Sequence, residues 1–298
     1  MDAFAKPPPL PGCAGTRPAP HARIDAHLHI FNGTDLQVAG FLGTSVAHEH
    51  PIVGPLLQLL AGPLQEFVWH KSPKARDELK RLNSLAATSG VGFTAGSLSK
   101  SLEEDRAETD AQYAEFLYGE FQKEKVRKEL SALLGLKGAS QRGLAPKPIK
   151  APASPQDART LADRVDRAGI PIFDYLKRYF SYRYANFFEA VDRFTCHGSA
   201  PIDTFIALMV DFDEPLDPGG ETPSHISDQT TVVSRICELS RGRLLALAPY
   251  CPLKDVRRNG ASLKNVLDAW TKKGFVGVKL YPPMGFKPYD NGDARDDA

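Results

Sequence analysis

Two features of the sequence predict an α/β fold built on a parallel sheet. Three runs after residue 200 are apolar along most of their length: TFIALMVDF (204–212), RLLALAPYCP (243–252) and GFVGVKLYPP (274–283). Helical patterns separate them, as expected for a parallel sheet covered on both faces. The strand ends at Val210, Tyr250 and Tyr281 are also spaced as strand–helix units of roughly 30 or more residues. A doubly wound open sheet and a β/α barrel both satisfy these observations. No GxGxxG follows any strand, so nothing supports the dinucleotide-binding version.

Taken in order, residues 1–22 are rich in Pro, Gly and Ala and read as a flexible tail, with a PxxP pattern at Pro8 and Pro11. Residues 23–32 carry the first strand. In RIDAHLHIF, Ile24, Ala26, Leu28 and Ile30 fall on one face, and Asp25, His27 and His29 on the other. Residues 33–199 read as a mainly helical insertion. Ser101 with Glu104 forms a capping box for a helix reaching about Leu136. A Pro/Gly-rich linker follows, and Ser154–Pro155 then opens a helix through Arg167 as N-cap and first helical residue. The aromatic-rich segment 173–194 reads as one further helix. Residues 200–298 hold the strand–helix units. Their helices are 227–242, capped by Ser227 or Asp228, and 261–274, ended by Gly274.

Composition narrows the function classes. The chain has 298 residues, room for one large domain or two smaller ones. Its net charge of +1 gives no global reason to expect nucleic acid or an anionic membrane as partner. Lys177, Arg178, Arg183 and Arg193 alternate with aromatics in 173–194, but an amphipathic helix packing its aromatic face explains that pattern more simply. No stretch approaches the roughly 20 apolar residues of a membrane span, and the N-terminus lacks a signal-type apolar run. Cys13, Cys196, Cys237 and Cys251 form no CxxC pair. The expectation is a cytoplasmic protein with reduced thiols, a small-molecule substrate, no nucleic-acid or membrane partner, and scope to form an oligomer.

The chemistry centres on His27 and His29. On a strand, residues i and i+2 point the same way, so both imidazoles can meet one divalent metal at the strand's carboxyl end. Asp25 shares their face and could support a ligand from deeper in the sheet. The plainer alternative is two inert histidines at a polar sheet rim.

The stretch IDAHLHIFN resembles the first strand of the amidohydrolase superfamily, in the branch of amidohydrolase-related hydrolases and zinc-dependent decarboxylases. APYCP resembles that branch's third strand, and GFVGVKLYPP its fourth. The resemblance covers 23–32 and about 200–288. It implies a TIM-type (β/α)8 barrel with one or two divalent metals, zinc first among them, that activate water and polarise a carbonyl. It also implies His27 and His29 as the first two ligands, with further histidines after the fifth and sixth strands and an aspartate after the eighth. In some members the fourth-strand lysine, here Lys279, is carboxylated and bridges two metals. Lys279 could instead hold a substrate carboxylate or form a structural ion pair.

The sequence departs from that pattern. The insertion is far longer than an ordinary barrel loop, and only about four strands can be found where a barrel has eight. The barrel is expected to be incomplete, the chain being a fragment of a longer protein rather than one whose missing ligands come from another chain. His48, His50, His70, His197 and His225 lie outside the strand pattern. Asp211 and Asp213 end the second strand, either at the site or as solvated loop carboxylates. Tyr250, Cys251 and Tyr281 end strands and could line a pocket with Lys279. The insertion leaves the carboxyl end of the first strand and is expected to act as a lid or in oligomerisation. The leading expectation is hydrolysis of a C–N or ester-type bond. The rivals are non-oxidative decarboxylation at one zinc and a non-catalytic remnant of the fold.

Overall fold

The computed structural model describes residues 23–89, 95–138, 148–168, 171–196, 202–216 and 220–281. The tail 1–22 with its PxxP pattern, His197, residues 139–147 of the Pro/Gly-rich linker, and Pro282 and Pro283 lie outside the described residues. The chain forms two compact units, one of Met1–Phe31, Lys74–Leu102 and Arg183–Ala298, the other of Asn32–Pro73 and Glu103–Tyr182. The span 33–199, expected as a single insertion, is therefore divided between them.

The first unit is α/β. In chain order its main elements are β1 (Ile24–Leu28), α1 (Ala75–Ser89), α2 (Arg183–Val191), β2 (Thr204–Leu208), α3 (Ile226–Leu239), β3 (Leu244–Pro249), α4 (Pro252–Arg257), α5 (Ala261–Lys272) and β4 (Gly277–Lys279). The four strands are all parallel and lie in the order β1-β2-β3-β4. On one sheet face Phe205, Ala207, Leu244, Ala246 and Ala248 are fully or almost fully buried. Helices α3 and α5 pack on β3, and the α2 ring Phe187 meets Phe205 edge to face at 6.1 Å. On the opposite face Ile206, Leu245 and Leu247 are only half-buried.

Among the described residues, β1 and β4 are the sheet's edges. Ile24 is 53 % exposed because β1 pairs with β2 alone, and Val276, Val278 and Leu280 are similarly open along β4. The apolar face expected for β1 therefore buries only Ile30 fully. β1 also bulges: Ile24 and Asp25 pair with Thr204 and Phe205, but Leu28 pairs with Ala207.

Buried ion pairs tie the helices of this unit together. Arg183 Nη1 donates to Glu78 Oε2 at 2.7 Å with both side chains fully buried, and Glu78 Oε1 accepts from the Tyr184 backbone N–H at 2.8 Å. α3 begins after His225, not after Ser227 or Asp228; Asp228 pairs instead with Arg76 at 2.8 Å. Gly274 sits past the end of α5 with φ of 71°, as its sequence position predicts.

The second unit is helical around an aromatic core of Phe67, Tyr113, Phe116 and Phe180. Gly33 lies so close to the helix Gly54–Lys71 that an added Cβ would stand 2.5 Å from Val68 Cγ2. The helix Pro155–Arg167 begins as predicted, with Ser154 Oγ accepting from the Asp157 N–H at 3.1 Å. The capping box at Ser101 is not used. The helix there runs from Ala95 to Phe121, and the Ser101 hydroxyl is buried against the Tyr184 hydroxyl at 3.3 Å. That helix stops at Phe121, where Arg127 donates to the carbonyls of Phe121 and Gln122, and a second helix, Glu124–Gly138, follows. Segment 173–194 is likewise not one helix. It breaks at Ser181, whose backbone is extended (φ −80°, ψ 152°).

No helix among the described residues is long and apolar enough to cross a membrane.

Candidate metal centre

The carboxyl end of β1 brings two imidazoles together. His27 Nε2 and His29 Nε2 stand 3.2 Å apart, with ring centroids 5.1 Å apart and planes inclined at 70°. Both side chains are exposed. Two nitrogens bound to one tetrahedral zinc at about 2.0–2.1 Å would be separated by about 3.3 Å. The pair thus matches the geometry of two ligands on one ion. Without an ion, one ring can donate to the other at this distance.

The ring of His29 favours its neutral, ligating form. Surrounding protein atoms desolvate it and lower its pKa, and the nearby His27 and Lys279 act in the same sense. A hydrogen bond to the Leu208 backbone opposes them. Asp25 does not support a ring: its Oδ1 accepts from the backbone N–H of His27 at 2.9 Å, beside the bulge. Among the described residues no group of three or more His, Cys, Asp or Glu side chains is placed to hold a metal. The residues present therefore fit a divalent ion as one half of its coordination shell.

Lys279 and Tyr281 lie at the end of β4. The Lys279 ammonium sits 5.3 Å from the centre of the Tyr281 ring, and that ring meets Phe212 edge to face at 5.9 Å. Lys279 is half-buried, and its charge is felt at His29. A cation over the Tyr281 ring thus has its charge felt at His29 and suits an anionic group.

The remaining candidates stand elsewhere in the fold. Asp211 and Asp213 are buried rather than solvated, and Lys254 on α4 bridges them, reaching Asp211 Oδ2 and Asp213 Oδ2 at 2.9 Å each. Burial pushes the Asp211 carboxyl above its usual range, against the pull of Lys254 and with Asp213 adding to the rise. Burial alone would lower Lys254, but the two carboxylates outweigh it and raise its pKa. Next to them Glu214 accepts from Arg258 Nε at 2.6 Å.

Cys251 is fully buried. Its Sγ accepts from the Lys254 N–H at 3.5 Å at the start of α4, and burial raises its thiol pKa, which disfavours the thiolate. The Tyr250 hydroxyl donates to Asp255 Oδ2 at 3.3 Å. His225 is exposed at the start of α3. His48, His50 and His70 belong to the second unit, where His70 Nδ1 lies 2.7 Å from the Glu66 carbonyl oxygen.

Sequence reasoning missed Phe212, Lys254 and Glu214. A signal for the last two was present: DFDE at 211–214 needs cations, and KDVRR at 254–258 supplies them.

Comparison with known proteins found no matching family model, no matching curated protein and no matching solved structure. The fold and site define a parallel α/β protein with an exposed two-imidazole centre at a strand end. The likeness to amidohydrolases rests on the three sequence motifs alone.

Proposed function

We propose that the chain is a metal-dependent hydrolase of the amidohydrolase type, in which His27 and His29 hold a divalent ion, zinc by ligand preference. The observation that carries this reading is the 3.2 Å separation of the two Nε2 atoms at the carboxyl end of a parallel strand. When bound, the ion lowers the pKa of a water and polarises the carbonyl of a C–N or ester-type bond. Burial, with the nearby His27 and Lys279, lowers the His29 pKa and so favours its neutral, ligating form, and the His27 ring stands beside it. Lys279 and Tyr281 orient the substrate, the ammonium meeting an anionic group and the ring covering its apolar part.

The uninterrupted strand order 1-2-3-4 supports a (β/α)8-type barrel, because a doubly wound sheet reverses order at its switch point. The free thiols Cys237 and Cys251 suit work in the cytoplasm. The charge of Lys279 favours one second reading, decarboxylation of a carboxylate substrate at the same centre, which carbon dioxide release would distinguish.

The first test is metal content by mass spectrometry, wild type beside the His27→Ala/His29→Ala double variant. Zinc or another divalent metal is expected in the wild type and lost in the variant. A wild-type chain that takes up no divalent metal overturns the reading.

A further inference from the structure

Helix α4 ties the carboxyl ends of β2, β3 and β4 together, and the tie runs on to Lys279. Lys254 on α4 lies 2.9 Å from a carboxylate oxygen of Asp211 and of Asp213, and all three side chains are buried. The Asp213 backbone N–H also donates to Asp211 Oδ1 at 3.4 Å, so the chain is held on both sides of Phe212. From the same helix Asp255 Oδ2 accepts from the Tyr250 hydroxyl at 3.3 Å, and the Tyr250 backbone N–H donates to the Lys279 carbonyl at 3.1 Å. α4 thus holds the Lys279 backbone through Tyr250, and Phe212 through the two aspartates.

A lysine needs more than a held backbone to present its charge at one point, because the ammonium ends a flexible four-carbon stem. Tyr281 supplies a rest for it, with the ammonium 5.3 Å from the ring centre. The Tyr281 ring is set in turn by Phe212, their centroids 5.9 Å apart and their planes at 88°, the edge-to-face arrangement that aromatic pairs favour. A buried ion cluster is weak evidence for stability, since an apolar cluster of similar volume often serves as well. What its directional bonds supply is position, and the residue enclosed by these bonds is Phe212.

We propose that Phe212 is a positioning residue for Lys279: anchored by the Asp211–Lys254–Asp213 cluster, it orients the Tyr281 ring and so places the ammonium for a substrate that carries an anionic group on an apolar body. The inference deepens the reading above, from which it takes the role of Lys279 toward the substrate. Phe212 itself acts through Tyr281, as packing behind a binding group does when it locks that group's geometry.

The test uses the whole chain with a chelator present, so that binding is read without metal. The probe is benzoate, an anion on an apolar ring, and benzamide is its uncharged control. Both affinities are measured by NMR titration, with circular dichroism as the check on folding. The wild type is expected to bind benzoate at least about 10-fold more tightly than benzamide, and Lys279→Met to erase that preference. Phe212→Leu is expected to weaken benzoate by about 3- to 10-fold and benzamide by less than about 2-fold, while Phe212→Tyr, which keeps the ring, binds as the wild type does. A folded Lys254→Met is expected to behave as Phe212→Leu does; if it fails to fold, the two Phe212 variants decide the question. A wild type without preference for benzoate overturns the inference. So does Phe212→Leu at wild-type affinity, Phe212→Tyr as weak as Phe212→Leu, or an equal loss of benzoate and benzamide, which a merely structural role would give. Zinc content without chelator separates the two readings. A chain that holds zinc but does not prefer benzoate keeps the metal reading and overturns this one, and a chain that prefers benzoate but holds no metal does the reverse.

Discussion

At the scale of single residues, the buried charges are balanced unevenly. Lys254 faces two buried carboxylates, so the cluster carries one negative charge in excess when all three groups are ionised. The raised pKa of Asp211 follows first from its burial, with Asp213 adding to it against the pull of Lys254. A carboxyl whose folded value is raised contributes stability below its unfolded value of about 3.8 and loses it as pH rises through the folded value. At neutral pH an ionised Asp211 is therefore a cost, and Asp211→Asn is expected to change stability by no more than about 1 kcal/mol in urea unfolding. Lys254→Met strands two buried carboxylates and is expected to cost about 3–5 kcal/mol, a loss that shrinks at acid pH as Asp211, whose pKa burial already raises, takes up its proton. In the wild type the raised Lys254 contributes fully below 10.5, and that contribution disappears as pH climbs through its folded value. A Lys254→Met loss that does not depend on pH would refute this account.

At the scale of elements, helix ends decide which sequence signals are used. Ser154 and Ser101 both sit in sequence contexts that suit an N-cap, yet only Ser154 caps. The difference lies upstream. Pro155 fixes the first helical residue after Ser154, whereas nothing stops the helix around Ser101 from beginning at Ala95. Ser154→Ala is expected to lower stability by about 1 kcal/mol, read as a fall in thermal midpoint, while Asp157 keeps its place in the first turn. The aromatic segment 173–194 shows the converse. Its periodicity fits one helix, but the break at Ser181 leaves Phe180 in the aromatic core of the helical unit and Phe187 against β2 in the α/β unit.

At the scale of the whole molecule, the α/β unit has a firm centre and open margins. β2 and β3 lie between neighbours and under helices, and their outer-face residues are almost completely buried. β1 and β4 each have one neighbour and half-exposed apolar side chains. In the metal-free chain, amide hydrogen exchange is expected to be slowest in β2 and β3 and markedly faster in β1 and β4, since local opening follows buried contact. Equal protection across all four strands would show that something already covers the edges.

The sequence by itself determined the class of the sheet, because apolar runs separated by helical patterns have few other ways to bury themselves; the strand order came from the tertiary structure. The sequence also determined that His27 and His29 share a direction, because alternation along a strand is a local rule. The bulge, the use of Asp25 on a backbone amide, the burial of Asp211 and Asp213 beneath Lys254, and the place of Phe212 against Tyr281 were decided by tertiary structure alone. Each depends on which side chain arrives from a distant part of the chain, and local periodicity carries no record of that. The same limit applies to the centre itself. Spacing along the chain gives the two imidazoles a shared direction, but their 3.2 Å approach was visible only in the folded chain.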